Sequence, residues 1–439
     1  MRPARSTRLS TLCLACVVWA ATGGEVAWAL VGARLGDVGR IPVDLSLPME
    51  TGRPGLFQDP PSAPVLSPGT NPVYAPFASP WQFLQGRLCP LEEGLFADAA
   101  DGRWDEHSLL GAALVASGVV DRDTLDDYQR QVARLAAELE QSGKMTGPPR
   151  QKAQALFEFM HGRILKGGYQ LDSTDLCLAL DEGRFNCVSA SVLFNCLAAR
   201  FGLAARGLEI PGHAMSRLAL PDGTLDVETT CPGWFRLMDD PQKQAELVQK
   251  TIGLRPGEGS TAAEPREVTD VELVATIYYN RGVDLLAQKR FAEAVAANAK
   301  ALRLDLSSAT ARGNLLATMN NWAIDLDSAG RHREAGELLR QGIALDPSYE
   351  TFRVNYVHVH SQWIEELCRL EQFQEAIDLI ARAMEDRVEE ARFSKARLDV
   401  YRRWARSCRK AAVTDQPFPV FDEAGRLDGA IPPFSGLPD

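Results

Sequence analysis

Asn186-Cys187-Val188-Ser189-Ala190-Ser191-Val192-Leu193-Phe194-Asn195-Cys196-Leu197 opens the stretch that decides the fold. Val188, Val192, Leu193, Cys196 and Leu197 recur at helical steps, which predicts a helix with one apolar stripe. Asn186 stands just before it and can cap it, because its side-chain oxygen can accept a free amide of the first turn. Strand patterns follow at about Ala205–Ile210 and Ala214–Leu220. Pro221-Asp222-Gly223-Thr224 is a hairpin signal, and a third strand is predicted over Leu225–Thr229.

The residues that carry chemistry lie at the joints of this pattern. A thiol is a weak nucleophile until it loses its proton, and the free amides and dipole of a helix N-terminus favour the thiolate. Cys187 directly follows the capping Asn186. Cys196, nine positions on, lies about 180° round the helix and is predicted to be core. His213 follows Pro211-Gly212 at a strand start, where it can serve as the base if that strand packs on the helix. A carboxylate should orient the imidazole. Asp226 and Glu228 are two apart on a strand and share a face, so either is a candidate. A two-residue turn at Asp222-Gly223 would put Arg217 opposite Glu228 and His213 opposite Pro232. Glu228 would then reach His213 only by a bulge or a long diagonal, with a salt bridge to Arg217 as its alternative. Ser189 and Ser191 have no GxSxG elbow and are predicted at the helix surface.

Asn186-Cys187-Val188-Ser189-Ala190, Phe201-Gly202-Leu203-Ala204-Ala205-Arg206, Gly212-His213-Ala214 and Glu228-Thr229-Thr230 together resemble the core of the transglutaminase-like superfamily. The resemblance covers about Gln151 to Leu237. It implies a papain-like α+β domain with Cys187 as nucleophile, His213 as base and Glu228 as orienting acid. Two departures stand out: a Glu where the family usually has Asp, and a short interval from Cys187 to His213. The resemblance also admits members that keep the fold without the chemistry.

Upstream, helices are predicted at Glu106–Ser117, Asp123–Gln141 and Gln151–Leu165, the last ended by Gly167-Gly168. Residues 30–80 are punctuated by proline and predicted to form an extended tether. Before them, Arg2, Arg5 and Arg8, the apolar run Leu9–Ala21 and Ala27-Trp28-Ala29 have the form of an export signal over residues 1–29. An exported, periplasmic or envelope-associated protein is therefore expected, with a membrane anchor only if that segment stays uncleaved. Seven of the nine cysteines lie beyond the signal; seven is odd, so at least one thiol stays unpaired within a monomer.

Downstream, residues 81–254 are taken as the papain-like domain and 255–268 as a Gly/Pro-rich linker. Residues 269–411 are helical and repetitive, and the tail from 412 is predicted irregular. Glu293-Ala294, Glu334-Ala335 and Glu375-Ala376 are spaced 41 residues apart. With Gly282, Ala301, Pro347 and Ala383 at small or turning positions, these units resemble tetratricopeptide repeats. Their period exceeds that family's 34, so each carries about two extra helical turns or a long loop. The fold expected is thus an α+β papain-like domain plus an all-α helical repeat domain.

A net charge of −11 without a Lys/Arg block disfavours nucleic acid as a partner. His358 and His360, two apart on a helix, diverge, and no metal or cofactor site is predicted. Two functions are consistent with these features. One is an exported cysteine peptidase, amidase or acyltransferase whose repeats hold a protein or peptide. The other is a binding scaffold in which the papain-like module is silent.

Overall fold

The computed structural model describes residues 88–210, 212–238, 240–252, 265–411, 418–421 and 427–431. The expected export signal and the proline-punctuated stretch lie outside the described residues. The described residues fall into two compact units, one up to Asn314 and the other from Leu315 onward.

The first unit begins with four helices, α1 Pro90–Asp98, α2 Leu109–Ala116, α3 Arg122–Gln141 and α4 Pro149–Phe159. Helix α4 runs directly into a wider π turn, Met160–Ile164. Next come β1 Gly168–Tyr169, α5 Leu176–Asp181, β2 Arg184–Phe185 and α6 Cys187–Arg200. The strands β3 Ala205–Ile210, β4 His213–Leu220 and β5 Gly223–Val227 follow, then α7 Pro241–Ile252 and β6 Arg266–Val268. Helices α8 Asp270–Ala287 and α9 Phe291–Leu304 complete the unit, with the first residues of α10 Ala309–Ser328. β5, β4, β3 and β6 form one antiparallel sheet in that order. The end of the segment expected to be a linker is therefore an edge strand.

Helix α6 is the centre of this unit. Ala190, Val192, Leu193, Phe194, Leu197 and Ala198 are all buried, and so are Ser189, Ser191 and Asn195. The single apolar stripe expected from the sequence is replaced by burial nearly all round. The reason is that α6 packs on β3 and β4 while α2, α4 and α8 cover its other sides. A helix enclosed on every side tolerates polar residues only where partners meet them. Ser189 and Ser191, expected at the surface, are fully buried and hydrogen-bonded.

The first helical pair of the repeats belongs to this same compact unit. Lys300 Nζ on α9 bridges both oxygens of Glu92 on α1 at 2.7 and 2.9 Å, and the buried Tyr278 hydroxyl donates to Glu92 Oε1 at 3.0 Å. A buried carboxylate with three donors is satisfied rather than stranded.

The second unit continues with α11 His332–Leu345, α12 Glu350–Arg369, α13 Phe373–Glu385 and α14 Glu390–Ala411. Paired helices of about 20 and 14 residues alternate, so the 41-residue period is accommodated by long first helices rather than by long loops. Small residues set the approach of neighbouring helices. A Cβ on Gly342 would lie 2.7 Å from the Phe352 ring, and Ala335, Ala376 and Ala383 are fully buried. Within the tail expected to be irregular, β7 Phe418–Phe421 and β8 Leu427–Ile431 pair antiparallel. Among the described residues, no helix is long and apolar enough to cross a membrane.

Candidate active site

The start of α6 is held by a reciprocal cap. Asn186 Oδ1 accepts from the amides of Val188 at 2.9 Å and Ser189 at 3.1 Å, while Ser189 Oγ accepts from the Asn186 amide at 3.0 Å. The same Asn186 side chain donates to the Leu171 carbonyl and to Thr174 Oγ1. Cys187 is thereby fixed as the first helical residue, half-buried against the core. Its own amide, like the first four of any helix, has no intrahelical acceptor.

His213 begins β4. Its side chain is 2% exposed, and so is that of Glu228. His213 Nε2 lies 2.6 Å from Glu228 Oε2. A carboxylate oxygen only accepts, so Nε2 carries the proton. The Cys187 side chain lies near enough to the same ring to favour its charged form, and with Nε2 committed to Glu228 the nitrogen left to face it is Nδ1. Burial opposes charge on His213, but the Cys187 and Glu228 side chains more than offset it and raise the ring's pKa to about 10. Glu228 is itself positioned by Thr230, whose amide and hydroxyl both donate to Oε1. The order from inside to outside is carboxylate, imidazole, thiol.

The hairpin register corrects the sequence expectation. The two central turn residues are Pro221 and Asp222, with Leu220 opposite Gly223 and Arg217 opposite Asp226. Proline's fixed φ suits the first central position of a turn, and Gly223 takes the φ of +139° where the chain re-enters the ladder. Relative to the expected pairing, every partner moves by two residues. Continued, this register sets Glu228 opposite Met215, one diagonal step from His213. Arg217 binds Asp226 in two-pronged fashion at 2.6 and 2.9 Å and reaches Glu267 as well. Of the two candidate carboxylates, then, Glu228 meets His213 and Asp226 is occupied by Arg217.

One residue that the sequence did not single out adjoins the site. His161, in the π turn, holds the Thr229 carbonyl through Nε2 at 3.0 Å. Its ring sits among Phe157 and Phe185, and burial pushes its pKa down to about 4, so it stays neutral. Thr229 Oγ1 also meets Ser191 Oγ of α6 at 2.8 Å, which fixes the residue between Glu228 and Thr230 from two sides. No periodic signal marks His161, because it owes its place to contacts far along the chain. Cys196 packs against the core at the opposite face of α6, and burial pushes its thiol up. All seven described cysteines are free thiols. Among the described residues there is no group of His, Cys, Asp and Glu side chains that would hold a metal ion.

A helix-borne cysteine against a strand-borne histidine and a glutamate just past the next strand is the arrangement of a papain-like domain. Residues 126–251 match the model of the transglutaminase-like superfamily, and residues 273–348 match that of the tetratricopeptide repeat. The chain thus carries a transglutaminase-like domain followed by tetratricopeptide repeats. No match is found among curated proteins or solved structures.

Proposed function

We propose that the protein is an exported cysteine hydrolase or acyltransferase of the peptidase or amidase type, whose repeats bind a protein or peptide. The observation that carries this reading is the buried Glu228–His213 pair with the Cys187 thiol on the same ring. In the proposed reaction the thiol proton passes to His213, and the sulfur attacks an acyl carbon. The Cys187 amide, which has no intrahelical acceptor at the helix start, can receive the developing oxyanion. The imidazolium then gives its proton to the leaving amine or alcohol, which leaves a thioester on Cys187. His213 next takes a proton from the incoming water or amine. Attack on the thioester releases the acid or the new amide and restores the thiol. Glu228 holds the ring in the orientation that serves both steps.

The reading is tested by the rate at which an iodoacetamide-type probe modifies each cysteine, resolved by peptide mass spectrometry. Cys187 is expected to react faster than the other thiols, and Cys187→Ala is expected to remove both that labelling and any acyl-transfer activity. Equal reactivity among the half-buried thiols, with no acyl-transfer activity for Cys187→Ala to remove, would favour the scaffold function instead.

A further inference from the structure

We propose that His161 is a positioning residue of the thiol site, which by holding the Thr229 carbonyl keeps the Glu228 carboxylate on His213. This rests on the reading of His213 and Glu228 as the base and orienting acid of Cys187.

Glu228 needs such a hold. The last cross-strand pair of its hairpin is Ser216 with Val227, so Glu228 is the first residue beyond the ladder. Two residues further on, the Thr230 amide and hydroxyl occupy Glu228 Oε1 at 3.0 and 2.5 Å, while His213 takes Oε2 at 2.6 Å. The carboxylate is thus aimed by the residue that lies between, Thr229. The Thr229 carbonyl accepts from His161 Nε2 at 3.0 Å, and its hydroxyl meets Ser191 Oγ of α6 at 2.8 Å. Of these two holds, the one from His161 grips the backbone.

The surroundings of His161 suit this part. It stands in a π turn rather than in regular helix, an irregularity found frequently at functional positions. Its ring lies against Phe157 at 4.6 Å and Phe185 at 5.8 Å, centroid to centroid. Phe185 immediately precedes the capping Asn186, so the ring touches the approach to Cys187 as well as the Glu228 turn. With Nε2 donating, Nδ1 is a bare acceptor, buried and without a partner among the described residues. A phenylalanine would fill the same space and leave no polar atom unsatisfied. What a histidine adds here is the donor at Nε2.

Glu228 is the titratable group that interacts with the His161 ring, and Glu228 and Cys187 are those that interact with the His213 ring. A carboxylate held at His213 keeps that imidazole charged, and a charged imidazole lets the thiol ionise at lower pH. If Glu228 drifts, the pH at which Cys187 becomes reactive must rise.

The test follows the rate of Cys187 alkylation by iodoacetamide against pH in the full chain, with the melting temperature read alongside. His161→Phe, which keeps a ring and loses the donor, is expected to raise the midpoint of the profile by about half a pH unit or more, roughly threefold in rate below the midpoint. His161→Gln, whose amide can donate from the place of Nε2, is expected to bring the midpoint back to the parent value. A midpoint unmoved in His161→Phe overturns the proposal even if the melting temperature falls, because a merely structural role would change only the latter. Should that variant not fold, His161→Asn decides: its amide is too short to reach the carbonyl, so the midpoint must rise, and an unchanged one overturns the hold. In a Glu228→Gln background His161→Phe should add little, since no carboxylate is left to aim; a full added shift would mean that the two residues act independently and would also overturn the proposal. Glu228→Gln alone separates the two readings. If it leaves the midpoint unmoved, the orienting acid itself fails; if it raises the midpoint and His161→Phe does not, only the positioning role fails.

Discussion

His213 and His332 make the most instructive pair in the molecule. Each has a carboxylate at hydrogen-bond distance, Glu228 at 2.6 Å and Asp327 at 2.7 Å. They differ at the second nitrogen. In the second unit, His332 Nε2 meets another carboxylate, Glu366, at 3.0 Å, so both ring nitrogens are tied to acceptors and the ring ties α11 to the end of α10 and to α12. In the first unit Glu228 takes one nitrogen of His213, and Cys187 is the group left to interact with the other. What a histidine with a carboxylate can do thus depends on what its other nitrogen faces: a second carboxylate makes it a strut, and a thiol suits it to the base's part proposed above. The surroundings differ too: Glu228 is enclosed, whereas Glu366 is 42% exposed and therefore weakly coupled.

The largest test of this contrast is substitution of the two rings. His213→Ala is expected to slow alkylation of Cys187 by about a hundredfold or more, measured by peptide mass spectrometry. His332→Ala should leave that rate within about twofold and lower the melting temperature instead. A similar loss of reactivity in both would erase the distinction.

Next in size is the choice of carboxylate. Glu228→Gln should reduce the same rate by roughly tenfold or more, since the amide cannot support the charged ring as a carboxylate does. Asp226→Asn removes only a half-exposed partner of Arg217 and should cost under about 1 kcal/mol of stability with the rate kept. An equal effect on rate from both variants would contradict the register.

A third consequence concerns pH. The folded ring's pKa is raised to about 10, against about 6.5 in an unfolded chain. The folded state therefore binds the proton more tightly. Its contribution to stability is complete below about pH 6.5 and is lost as pH climbs towards about 10. Urea midpoints should fall across that window, and Glu228→Gln should flatten the fall. A parent curve as flat as the variant's would refute the pairing.

The smallest effect lies in the repeats. Lys289, Gly330 and Glu371 occupy equivalent places 41 residues apart, with φ of +59°, +73° and +58°. At each, the next residue's amide reaches back to a leucine carbonyl at 2.9 Å: Arg290 to Leu285, Arg331 to Leu326, Gln372 to Leu367. This is the left-handed helix ending that glycine adopts most cheaply. Lys289→Gly and Glu371→Gly should each stabilise by about 0.5–1 kcal/mol, read by chemical denaturation, whereas Gly330→Ala should destabilise.

Much of this was legible in the chain. The Asn186 cap, the thiol after it, the strands that follow and the 41-residue spacing are all short-range patterns. The helix from Gln151 was visible too, but not its passage into a π turn at Met160, which turns His161 towards Thr229. Glu228 and Asp226 could not be ranked firmly from the sequence. They differ by two positions on one strand face, and an assumed turn in the wrong register reversed their partners.

The division has a physical origin. Caps, helical stripes and repeats arise from bonds and contacts between residues a few positions apart, so composition and spacing record them directly. Which carboxylate meets His213 depended on where a proline sat in a turn, because shifting the turn moves every cross-strand partner at once. That Arg266 ties β3 to both helices of the first repeat depended on packing of that repeat against the sheet, across a long interval of chain. Contacts of that range leave no periodicity behind them, and they appear only when the segments are folded together.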